Sequence, residues 1–96
     1  MAISYLDRAI GEIDAWEVDN GTNRDSTSMR AFLLDNKGLT WRRMSGQLSS
    51  AQRAISEAIN LHAEVGNHFG QAHAIRNSSV VLMQLDQFGS AHDSLA

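Results

Sequence analysis

Residues Gly46–Ile59 read "GQLSSAQRAISEAI", and residues Asp86–Ala96 read "DQFGSAHDSLA". Set one above the other, Leu48 falls on Phe88, Ala51 on Ala91 and Ile55 on Leu95, at an offset of 40 residues. The stretch "AISYLDRAI" (Ala2–Ile10) matches "AQRAISEAI" (Ala51–Ile59) at an offset of 49. The segments in front repeat too. Asn36 pairs with Asn77, Gly38 with Ser79 and Trp41 with Leu82, at an offset of 41. A period of this length, built from two helices, is the signature of helical hairpin arrays.

The hydrophobic spacing agrees with helices throughout. Ile3, Leu6, Ala9, Ile10 and Ile13 recur at intervals of three and four, one face of a helix over 2–18. The polar stretch "EVDNGTNRDSTS", Glu17–Ser28, reads as a flexible loop, with Asn20-Gly21 as a breaker. Ser26, Thr27 or Ser28 is expected to cap the next helix. Met29, Phe32, Leu33, Leu34, Trp41 and Met44 mark that helix, and Ser45-Gly46 ends it. Ile55, Ala58, Ile59, His62 and Val65 form the stripe of a third, stopped at Gly66-Asn67 because glycine tolerates positive φ. The helix pair thus covers 29–65. A fourth helix is expected from Phe69 to Leu85, a turn at Asp86-Gln87, and a fifth helix from Phe88, making a truncated pair over 69–96. The chain has no proline to interrupt any of these. The expected fold is all-α, one domain of antiparallel helix hairpins.

The joint spacing resembles the tetratricopeptide repeat. The residues that carry the resemblance are Gly38, Trp41, Gly46-Gln47-Leu48, Ala51 and Ala58, and in the next copy Ser79, Leu82, Asp86-Gln87-Phe88 and Ala91. The linker "EVGNHFGQAHAIRNSS" is similar to that of the forty-residue subclass found in bacterial transcription regulators and animal adaptor proteins. Ser79 and Asp86 stand where that family has glycine. The resemblance implies a fragment of a right-handed solenoid, with a plain helical bundle as the alternative. Physical chemistry gives the spacing its own reason. Two helices cross closely only at small side chains, so Gly38 and Ser79 are expected to face Ala51 and Ala91.

Composition excludes several function classes. Lys and Arg number 8 against 11 Asp and Glu, a net charge of −3, which argues against a nucleic-acid binder. With no cysteine there is no disulfide framework and no thiolate metal site. No apolar run reaches membrane-spanning length, and Asp7, Glu12 and Asp14 inside the first apolar pattern rule out a signal peptide there. A cytoplasmic location is the expectation. His62, His68, His73 and His92 lack the spacing that puts two imidazoles on one helix face, and "DNGTNRD" lacks the calcium-loop order. No nucleophile motif or phosphate loop is present. The chain therefore reads as no enzyme, with no cofactor and no metal.

In the family the first helix of each pair lines a concave face that takes a peptide. The resemblance implies a ligand face of Phe32, Asp35, Asn36, Leu39, Arg42 and Arg43 from one copy. From the next it implies His73, Arg76, Asn77, Val80, Met83 and Gln84. Asn36 and Asn77 match asparagines that clamp a peptide backbone, a task suited to an amide that both donates and accepts. Arg42, Arg43 and Arg76 suit a carboxylate. The expected partner is a protein or peptide. The alternative is an assembly element, since the apolar residues at both ends of the chain call for cover by a homodimer or another partner.

Overall fold

The computed structural model describes residues 2–44 and 46–95, with side-chain surroundings for 3–44 and 46–86. Four helices account for almost all of it: α1 (Ala2–Asn20), α2 (Arg24–Arg42), α3 (Leu48–Glu64) and α4 (His68–Leu95). Each packs on its neighbour in sequence, and α2 also meets α4. The molecule is flat and long, 53 × 29 × 15 Å. No described helix is long and apolar enough to cross a membrane.

Small residues govern the packing. The core holds Ala31, Ala51, Ala54, Ala58 and Ala74, and among the described residues only Ile55 and Val81 are large and fully enclosed. Leu34 joins them, with Trp41, Leu48, Ile59, Leu61 and Leu85 packed around the rim. Alanine brings helix axes close at little entropic cost, so the backbone atoms themselves supply much of the contact. Gly38 sits where α2 crosses α3, directly against Ala51 and Ile55, as the small-residue spacing predicts. Its counterpart contact to Ala91 lies outside the described side chains, as do Phe88, His92 and Leu95.

Two expectations need correction. Glu17–Ser28 is not a loop: α1 runs through Asn20, α2 starts at Arg24, and only residues 21–23 link them. Gly21, at φ +79°, stops α1, and its N–H donates to the Glu17 carbonyl at 2.7 Å. Asn23 then opens α2 with a capping box. Its Oδ1 accepts from the Ser26 N–H at 2.8 Å while the Ser26 Oγ accepts from the Asn23 N–H at 3.0 Å. The polar residues that resemble a loop in sequence are there to satisfy free helix ends. So Asn23 is the cap, and α2 starts five residues before Met29.

The second correction concerns Asp86-Gln87, where α4 passes without a break to Leu95. The equivalent turn between α2 and α3 depends on Gly46 at φ +78°. A side chain at position 86 would meet a steric cost in that left-handed conformation, so helix is the easier course for Asp86. Among the described residues there is no separate fifth helix.

Ion pairs tie α1 to α2. The Arg30 guanidinium reaches both Asp14 and Glu17, and Lys37 pairs with Asp7 while lying 4.6 Å over the Trp41 ring. The Ser26 hydroxyl donates to Glu17 Oε2 at 2.7 Å. That bond, helped by the Arg30 charge, holds the Glu17 carboxyl below its usual range against the effect of burial. Asp7 and Asp14 are thus pairing groups of the first hairpin. Between α3 and α4, Gln52 and Ser78 exchange bonds, Nε2 donating to Oγ at 2.9 Å and Oγ to Oε1 at 3.3 Å.

Candidate functional site

The side-by-side placement of α2 and α4 leaves a groove of about 370 Å³. Phe32, Asn36 and Leu39 of α2 form one wall and Phe69 and His73 of α4 the other, with Asp35, His62, Asn67 and Gly70 below. The α2 residues recur at the i, i+4, i+7 spacing of a single helix face. Phe32 is 60% exposed and Phe69 90%, an unusual way to leave two phenylalanines.

Of the residues expected on a ligand face, Phe32, Asp35, Asn36, Leu39 and His73 are brought together here. Arg76 lies beside them, lining a second depression of about 490 Å³ with His68, Phe69, Ala72 and His73. Phe69 and His73 form the ridge shared by the two. Arg42, Arg43, Val80, Met83 and Gln84 line neither.

Asp35 and Asn77 have a different task from the expected one. Both are buried, and Asn77 Nδ2 donates to Asp35 Oδ1 at 3.0 Å. This bond joins α2 to α4 beneath the groove. A buried carboxylate needs such a partner, so Asn77 is committed to Asp35 and is not free to clamp a peptide. Asn36 remains available. Its Nδ2 donates to the Phe32 carbonyl at 3.0 Å, within its own helix, and its side-chain oxygen is left as an acceptor.

His62 closes the floor. It is 5% exposed, and a side chain at Gly70 would stand only 2.6 Å from its ring. Burial pushes its imidazole below the ordinary range; the His73 charge adds to this and the Asp35 charge opposes it. A lowered histidine favours the neutral form in the folded chain. Its stabilising contribution is complete above the ordinary imidazole value of 6.5 and declines as the pH falls below it.

Sequence reading missed Phe69, Asn67 and Gly70 as groove residues. Gly66-Asn67 was legible as a stop, and Gly66 does take φ +71°. The second use of Asn67, as the cap of the following helix through a 3.0 Å bond from the Gly70 N–H, was signalled by its place two residues before Phe69. Among the described residues no group of three or more His, Asp or Glu side chains is placed to hold a metal. Comparison of the chain with protein-family models, with curated proteins and with solved structures gave no match in any of the three.

Proposed function

We propose that this chain is a protein-interaction module that takes a peptide or protein segment into the groove between α2 and α4. The observation that carries the reading is the pair of exposed phenylalanines, one on each wall. Burying a phenylalanine contributes about 1.5–3 kcal/mol, so covering Phe32 and Phe69 is a strong driving force for a partner. Asn36 supplies an acceptor for a backbone N–H, and Arg76 at the edge suits an acidic group. The packing of each helix on the next, with α2 against α4, supports the tetratricopeptide-like reading of the architecture.

Selection of a random peptide display library on the purified chain tests this. Enriched peptides are expected to lose at least tenfold in affinity on Phe69→Ala, while the melting temperature stays within a degree or two, because Phe69 is 90% exposed. A library that enriches nothing, or binders indifferent to Phe32→Ala and Phe69→Ala alike, removes the groove as the binding surface.

One further observation favours assembly as a second reading. On α2 the row Leu34, Gly38 and Trp41 packs toward α3. Its counterparts on α4 at the same offset of 41 are Ile75, Ser79 and Leu82, and all three are exposed. A second copy of the chain laid on this row would cover Ile75 and Leu82, now 47% and 50% exposed. Sedimentation equilibrium at micromolar concentration decides it: about twice the 10.5 kDa chain mass is expected, and a stable monomer eliminates this reading.

A further inference from the structure

We propose that His62 and Asn67 form a proton-sensitive latch that holds the α3–α4 turn, and with it the α4 wall of the groove, closed at neutral pH. The argument starts from the Asn67 amide. Its Oδ1 accepts from the Gly70 N–H at 3.0 Å, one of the free donors at the start of α4. That bond fixes which way the amide faces. Asn67 Nδ2 then lies 3.4 Å from His62 Nδ1. An amide nitrogen only donates, so Nδ1 must be the bare, accepting nitrogen, and the ring proton sits on Nε2.

A proton added to Nδ1 turns the contact into two donors facing each other. Asn67 has no orientation that serves both neighbours. Facing as it does, it keeps Gly70 and opposes His62. Turned over, it accepts from the protonated ring but presents its NH2 to the Gly70 N–H. Gly70 packs directly on the ring, so the ring cannot retreat toward the start of α4. The charged groups around the ring come from both neighbouring helices. Asp35 of α2 favours the proton and His73 of α4 opposes it. The Asp35 carboxylate is already engaged by Asn77 at 3.0 Å. Uptake of a proton by His62 therefore releases the cap of α4 and loosens the first turn of that helix, where Phe69 stands.

The latch belongs to the α3–α4 hairpin and stands whether or not the groove takes a peptide. Its test therefore uses no ligand. Nitrogen-15 spectra of the histidine rings report the tautomer, and amide hydrogen exchange reports the Gly70 N–H, both followed as the pH is lowered. The expected result is a His62 ring carrying its proton on Nε2 at neutral pH. Gly70 should then lose at least tenfold in exchange protection over the same pH interval in which His62 titrates. The Asn67→Asp variant supplies the second arm. A carboxylate caps a helix as well as asparagine does, and its two oxygens accept from Gly70 and from a protonated His62 together. In this variant Gly70 should stay protected through the His62 titration, and that titration should move to higher pH. A neutral His62 protonated on Nδ1, or protection of Gly70 that outlasts His62 protonation in the unaltered chain, overturns the latch. So does equal loss of protection in Asn67→Asp.

Discussion

Gly38→Leu is expected to lower the stability of the chain by about 3 kcal/mol, the upper part of the usual cost of overpacking a core. A Cβ at Gly38 falls inside contact distance of the Ile55 side chain, with its Cδ1 at 2.9 Å and the Ala51 carbonyl oxygen at 3.1 Å. Ile55 is fully buried and β-branched, so it has no free rotamer to retreat into. The Ala51 oxygen belongs to the α3 backbone and moves only if the helix moves. Even Gly38→Ala should destabilise, although alanine in a helix interior ordinarily gains about 1 kcal/mol over glycine. The sign of that second variant is the sharper check. For a domain of this size a loss of 3 kcal/mol corresponds to roughly 12–24 °C in Tm, easily read by thermal circular dichroism. A Gly38→Ala chain more stable than the original would show that α2 and α3 do not cross at this residue.

Asn77→Ala is expected to cost about 2–3 kcal/mol, through a buried carboxylate left without its hydrogen-bond donor. Asp35 and Asn77 are 8% and 9% exposed, so water cannot easily take the place of the amide. The paired variant Asp35→Leu with Asn77→Leu should recover much of the loss, because removing both members of a buried polar pair removes the unmet demand as well. A double-mutant cycle in urea measures this directly, and a coupling energy below about 0.5 kcal/mol would show that the two side chains do not depend on each other. The result also separates structure from recognition. A residue spent on holding α2 to α4 changes the unfolding midpoint with no ligand present, whereas a peptide clamp changes it only when a ligand is bound.

The helices themselves were legible because their signals are local. The stripe from Ile55 to Val65 placed α3, and Gly66 marked its end. The close crossing at Gly38 followed from small residues recurring in step. The failures came where one residue type serves two purposes. Asn23 and Ser26 favour loops in composition but here satisfy the first turn of α2, so the expected loop vanished into two helices. Asp86 sat in the repeat at the place of Gly46, yet lacks the backbone freedom that makes Gly46 a turn.

The candidate site divides along the same line. Phe32, Asn36 and Leu39 share a helix face by spacing alone, so their alignment on one wall was fixed by the order of residues along α2. Whether that wall met a second one depended on α3 carrying α4 alongside α2, where Asn77 bonds Asp35 at 3.0 Å, 42 residues away in sequence. The sequence determined an all-helical chain, the close contact at Gly38 and an acidic, cysteine-free chemistry. Only the tertiary structure decided that Asn77 is buried beneath the groove and not displayed in it, that Phe69 rises as its ridge, and that Asn67 joins His62 to the start of α4. Periodicity is written into neighbouring residues, whereas the partner of a buried polar group is chosen by whichever distant helix packs over it.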